Sequence, residues 1–173
     1  LTREEYKKFG FLSAILSFIV GTYWLLRPLK DALFSNTVGT LYLPYAKIAS
    51  VGFLIPIILV YSKLVDIFEK QQLFYIIVPC YGIFFLCVAY MLNNPSMAQK
   101  YHLLGWAVYL GVESFVLLIF SMFWSFVAST ADTASARRGY ALIFAGAQIG
   151  TIIGPEFAKH ATPIGIAILV CIA

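Results

Sequence analysis

Arg27, Lys30 and Asp31 interrupt an apolar chain at a point where charge is expensive. Eighteen uncharged residues, Phe9 to Leu26, precede them, and fifteen, Ala32 to Ala46, follow. Residues three apart share a helix face, so Arg27 and Lys30 together make a basic face. A guanidinium grips phosphate or carboxylate oxygens bidentately and an ammonium acts as a point charge. The chemistry on offer is therefore recognition of an anion. Pro28, lying between the two cations, has no amide to donate and can open the backbone locally. The plainer reading is a helix end from which both side chains snorkel to the interface, since Arg27 stands about 27 Å along a helix from Phe9.

Glu113 is the second signal. It lies ten residues into an apolar run, about 15 Å along a helix axis, near the middle of a bilayer core about 30 Å thick. A carboxylate there costs about 2.5–3.5 kcal/mol on insertion scales and turns toward a cavity or a partner. It can act as a proton site, a substrate contact or the ion-pair partner of a cation, and the plain alternative is a structural pair with a basic neighbour. Lys47 opens the next apolar run and either extends the basic face or anchors the helix at the interface. Arg137, with Asp132 and Arg138, precedes a later apolar run; its ordinary role would be the positive charge of a cytoplasmic loop.

The elements that position these residues are membrane helices. The 173-residue chain is 61% hydrophobic and 12% charged, with a mean hydropathy of +0.88, where a soluble domain carries about 25% charged residues. Its class is an all-α polytopic membrane protein. Spans are expected at about 9–34, 42–61, 72–92, 103–128 and 139–157, with a sixth beginning near 164. Turns are expected at 35–40, 62–72 and 129–138, and Pro56 is a candidate kink. Lys and Arg concentrate in the segments that lie on the side of the N-terminus, which places that terminus in the cytoplasm. The run after Pro163 reaches Ala173 short of the about 20 residues a span needs. The sixth helix is therefore expected to be unfinished, and the chain to be the N-terminal six-helix half of a longer transporter whose C-terminal half is absent.

Gly146, Gly150 and Gly154 recur every four residues, a spacing that lets helix backbones approach closely. Gln148 on the same helix needs a hydrogen-bond partner and is a candidate to face a cavity. Cys80, Cys87 and Cys171 have no paired spacing and read as small packing residues. His102 and His160 read as interfacial. The net charge of +4 is spread over short loops and gives no nucleic-acid patch. There is no phosphate-cradling glycine loop, no zinc spacing and no nucleophile triad, so neither an enzyme nor a metal or other cofactor is expected.

Several motifs together resemble a known family. RPLKDALF at 27–34, LPYAKI at 43–48 and SKLVDIFEKQQLFY at 62–75 are similar to conserved-type segments of the ATP/ADP translocases of obligate intracellular bacteria and plastids. FWSFVASTADTASARRGYALIFAGAQIG at 123–150 resembles that family's later segment, and the likeness runs over about Tyr23 to Gly154. The resemblance implies a major-facilitator-like transporter of twelve helices that exchanges ATP for ADP, with phosphate as a further substrate, across a bacterial inner membrane. It also implies that Lys30 and Glu113 match the family's essential lysine and glutamate. Substrate contacts are then expected at Arg27, Lys30, Asp31, Lys47, Glu113 and Arg137, with the lipid bilayer as the surrounding partner. Alternatives are a proton-coupled transporter of another nucleotide or phosphorylated anion, and a non-transporting helical membrane protein. The family's LVVT-like run is here Ala32-Leu33-Phe34-Ser35-Asn36, so the likeness constrains fold more tightly than substrate.

Overall fold

A computed structural model of the chain describes residues 3–92, 102–130 and 133–159. Among these residues the structure is helical: α1 Arg3–Thr37, α2 Leu43–Ile67, α3 Lys70–Leu92, α4 His102–Thr130 and α5 Thr133–Lys159. Five of its helices are long and apolar enough to cross a membrane. In hydrocarbon each backbone amide must bond within its own segment, which leaves the helix as the solution for these runs. The chain is a multi-pass membrane protein.

The helices are longer than the apolar runs suggest. α1 has 35 residues, about 52 Å at 1.5 Å per residue, and it passes through Pro28 without a break. The proline deletes the amide that would bond the Trp24 carbonyl, yet the helix continues for more than two turns. The expected turn at 35–40 is correspondingly narrower. Val38 and Gly39 both donate to the Phe34 carbonyl, at 2.8 and 3.3 Å, and Gly39 adopts φ 115°, a conformation open to glycine. A 3-10 turn, Thr40–Tyr42, then leads into α2.

The charged segment 62–72 is not a loop of that length. α2 continues to Ile67 and α3 begins at Lys70, so Lys63 and Asp66 sit on the last turns of a helix. Long polar side chains at a helix end reach water without unwinding it. Thr133 onward is likewise helix, where a loop to 138 was expected. The expected sixth span lies outside the described residues.

α1 is the central element, packed on α4 on one side and on α5 on the other. Toward one end Phe9, Leu12, Leu16 and Val20 of α1 meet Phe123 and Val127 of α4 and Ile143 of α5. Toward the other, Leu26 and Leu33 meet Phe85, Val88 and Ala89 of α3 and Leu104, Val108 and Val112 of α4. α2 is peripheral, and its buried residues are Ala46 and Ser50. Cys80 and Cys87 are exposed on α3 rather than packed, and Cys171 lies outside the described residues.

The α1–α5 seam is made by the glycines at four-residue spacing. A Cβ added at Gly146 would strike the side chain and carbonyl of Ser13. At Gly150 it would strike the Ser17 carbonyl, with the Gly21 amide 2.9 Å away, and at Gly154 it would meet the Gly21 carbonyl and Trp24 Cβ. Ser13 also donates to the Leu142 carbonyl at 2.8 Å. Ser13, Ser17 and Gly21 are themselves four apart, so two rows of small residues face each other. Gly150→Ala should therefore cost about 1–3 kcal/mol by overpacking. Gly82→Ala, where nothing lies within 4 Å of the added methyl, should be neutral or mildly stabilising through helix propensity. Thermal unfolding of the two variants in detergent checks this, and equal effects would refute the seam.

Candidate substrate site

Antiparallel packing of α4 on α1 sets the geometry. Phe34 of α1 meets Trp106 and Tyr109 of α4, and about three turns back along α1, Tyr23 meets Phe120. Between these contacts Lys30 comes opposite Glu113, and their charged atoms lie 2.7 Å apart. Glu113 is about 5 Å from the midpoint of the 29-residue α4 at 1.5 Å per residue. Lys30 shares that level. It is therefore not a snorkelling residue at a helix end, as its place in the sequence suggested; α1 runs on past it to Thr37.

The Lys30 side chain is 5% exposed. Its ammonium also lies 3.2 Å from Asp31 Oδ1 and 3.8 Å from the centroid of the Tyr109 ring. Behind it Leu26, Leu29, Leu33, Phe85, Val108 and Val112 form an apolar wall. Ammonium burial of this degree is tolerated when the charge is paired and hydrogen-bonded. The carboxylates are more open, 32% exposed for Glu113 and 40% for Asp31. The open side of the group is thus formed by the two carboxylates, with the ammonium behind them.

α3 steadies this part of α4. Tyr81 donates to Ser114 Oγ at 2.8 Å, and Ser114 donates to the Gly111 carbonyl at 2.9 Å. Ser114 is buried and adjoins Glu113 in sequence. Sequence reasoning passed over both Tyr81 and Tyr109. For Tyr109 a signal was present, since it lies four residues before Glu113 and so shares its helix face.

Arg27 does not share the Lys30 environment. It is exposed, with its guanidinium 5.4 Å from the Trp24 ring centroid and 5.8 Å from that of Tyr23. Lys47 is exposed on the early turns of α2. Arg137 falls in the first turns of α5, where side chains lie outside the described residues, as do Asp132 and His160. Gln148 and His102 are exposed. The structure brings together Lys30, Asp31 and Glu113 from the expected set.

The larger crevices lie away from this group. One is formed by Phe53, Pro56, Val60, Tyr61, Ile77 and Tyr81 between α2 and α3, and another by Phe11, Ile15, Phe74, Tyr75 and Phe126 among α1, α3 and α4. Both are lined by apolar and tyrosine side chains, with no charged group to orient a polar solute. What the Lys30 group can do chemically is hold a buried positive charge against two carboxylates that are themselves partly open.

Comparison with known proteins gives the lineage. The chain is 25% identical to ADP,ATP carrier protein 4 of Rickettsia typhi over 191 residues, covering 95% of this chain and 37% of that protein. It is 28% identical to ADP,ATP carrier protein 3 of Rickettsia prowazekii over 180 residues, covering 88% and 36% respectively. The chain thus spans a little over a third of the length of these relatives. No solved structure matches it. The family model described as TLC ATP/ADP transporter matches residues 1–104, which include Lys30 and Asp31, and the chain belongs to that family of transporters.

Proposed function

We propose that the protein is a nucleotide antiporter that exchanges ATP for ADP across a bacterial inner membrane, with its N-terminus in the cytoplasm. The observation that carries this reading is the pair between the buried Lys30 and the partly open Glu113 joining two membrane helices, in a chain whose relatives are named ADP,ATP carriers. In the empty state Glu113 neutralises Lys30 and ties α1 to α4. A nucleotide phosphate offers the ammonium more negative charge than one carboxylate does, displaces Glu113 and frees the tie. The carrier then rearranges loaded and resists rearranging empty, which is the requirement for exchange. Binding free energy moves a conformational equilibrium only by its difference between the two states, and the broken ion pair is where that difference arises.

Arg27 is the accessible cation of this reading, free to meet phosphates before Lys30 does, and Lys47 and Arg137 are weaker candidates. Asp31 holds the ammonium from the second side. Phosphate is a further candidate substrate. The five described helices would belong to the N-terminal six-helix half of a twelve-helix, major-facilitator-like transporter, with the C-terminal half supplying the facing wall of the substrate path.

The direct assay loads proteoliposomes containing the full-length protein with ADP and supplies labelled ATP outside. Counter-exchange is expected. Lys30→Ala should lower it about 10- to 100-fold, the equivalent of losing a charged hydrogen bond of about 1.5–3 kcal/mol. No exchange by the unsubstituted protein would sink the reading, and an unaffected Lys30→Ala variant would sink the site.

Stability provides a second check. Lys30→Ala leaves Glu113 without its ion partner and should cost about 3 kcal/mol, the low end for breaking a buried pair. Adding Glu113→Gln removes the stranded charge, so the double variant should unfold at a higher temperature than Lys30→Ala alone. A lower unfolding temperature for the double variant would mean that the pair is not a closed electrostatic unit.

A further inference from the structure

Three neighbours hold the Lys30 ammonium, and they differ in kind. Glu113 and Asp31 are charged, at 2.7 and 3.2 Å. Tyr109 is neutral, and the ammonium sits 3.8 Å over its ring centroid. A cation over an aromatic face is attracted by the ring quadrupole, most strongly where water is absent. Tyr109 is 1% exposed, so this contact is fully desolvated on the ring side.

The ring is itself clamped. Phe34 packs against Tyr109 with centroids 5.3 Å apart at 61°, and Trp106 packs edge-on against Phe34 at 5.1 Å and 84°. Phe34 and Ala46 are completely buried in the same cluster. The aromatic stack therefore has little freedom to move, whereas Glu113 and Asp31 are both partly open to their surroundings.

We propose that Tyr109 is a positioning residue that seats the Lys30 ammonium while Glu113 is exchanged for a nucleotide phosphate. This rests on the reading of Lys30 as the phosphate-binding group. A carboxylate holds the ammonium by neutralising it, and so competes with an incoming anion. A ring face holds it without net charge and leaves its positive field available. Lysine has a flexible four-carbon stem. Without the ring, an ammonium released by Glu113 is drawn by Asp31 toward the open side. With the ring, it stays at its buried level and the phosphate comes to it.

The test replaces Tyr109 in the full-length protein by phenylalanine carrying zero, one, two or three ring fluorines. Each fluorine withdraws density from the ring face with little change of shape. Tyr109→Phe, which keeps the ring and lacks fluorine, is the reference against which the rest of the series is read. Successive fluorines should raise KM for ATP stepwise, by roughly tenfold in total as expected for loss of a desolvated cation–π contact, with the maximal rate unchanged. A flat KM across the series overturns the proposal, because a ring that merely fills the core would give that result.

Unfolding temperature provides a readout independent of transport. It should fall along the fluorine series when Lys30 is present and stay level in a Lys30→Met background. Equal slopes in the two backgrounds overturn the Tyr109–Lys30 contact. Absence of exchange by the unsubstituted protein overturns the nucleotide reading and the transport role with it, while the unfolding series still decides whether Tyr109 holds Lys30.

Discussion

A single buried ammonium governs the arrangement of this chain. Lys30 cannot be left bare among Leu26, Leu29, Leu33, Phe85, Val108 and Val112, because an isolated charge in such surroundings costs far more than a helix contact returns. Its partners come from two helices, so the pair selects one register of α4 on α1. Moving α4 by one turn would shift Glu113 by about 5.4 Å and strand both charges. The unbroken passage of α1 through Pro28 follows from the same requirement. A kink there would turn Lys30 away from Glu113, and the two turns beyond it carry the Phe34 contacts that hold Tyr109 in place.

The two sides of α1 are joined by different physics. Toward α5 the seam is backbone against backbone, Gly146, Gly150 and Gly154 over Ser13, Ser17 and Gly21. In a bilayer such a seam is held by close packing, since lipid tails are as apolar as the side chains. A dissolved solute has no means of competing for it. Toward α4 the central contact is an ion pair, the kind of contact for which a charged solute can compete. The ends of the α1–α4 seam are apolar or hydrogen-bonded, including the Lys8 ammonium donating to the Thr130 carbonyl. In the proposed exchange, substrate would therefore act at the middle of one seam and leave the other as the frame.

Part of this was legible in the sequence. Helical membrane spans follow from composition, and Glu113 was conspicuous because its depth can be counted along its own run. The glycine seam was legible because a four-residue spacing belongs to the helix itself. Its partner row, Ser13, Ser17 and Gly21, carried the same signal and was missed. The level of Lys30 was not legible, because it depends on the register of α4 against α1, a long-range fact absent from local pattern. The segment 62–72 was misjudged for a related reason: charge was taken to end a helix, whereas Lys63 and Asp66 are exposed on the last helical turns of α2. Tyr109 looked like one more apolar residue until a cation was found above it. The comparisons then added a lineage to these residues, and the geometry of Lys30, Asp31 and Glu113 was already fixed without it.

The exposure gradient around Lys30 bears on the order of events in the proposed exchange. Arg27 is exposed and stacked on Trp24 and Tyr23, so in the proposed exchange its charge would act on an approaching anion before contact. Such long-range attraction raises the local concentration of a charged solute before any contact forms. Lys30 is buried and already neutralised, so it exerts little pull at a distance. Its worth lies at close range, where the same charge interacts several times more strongly than in water. A guanidinium that collects and an ammonium that holds divide the work according to their surroundings. Asp31 stands one helical turn beyond Arg27 and touches the ammonium, which sets a limit on how tightly the phosphate is held. With both carboxylates near, an anion on Lys30 is always opposed, and an exchanger that must release its substrate on the far side gains from that opposition.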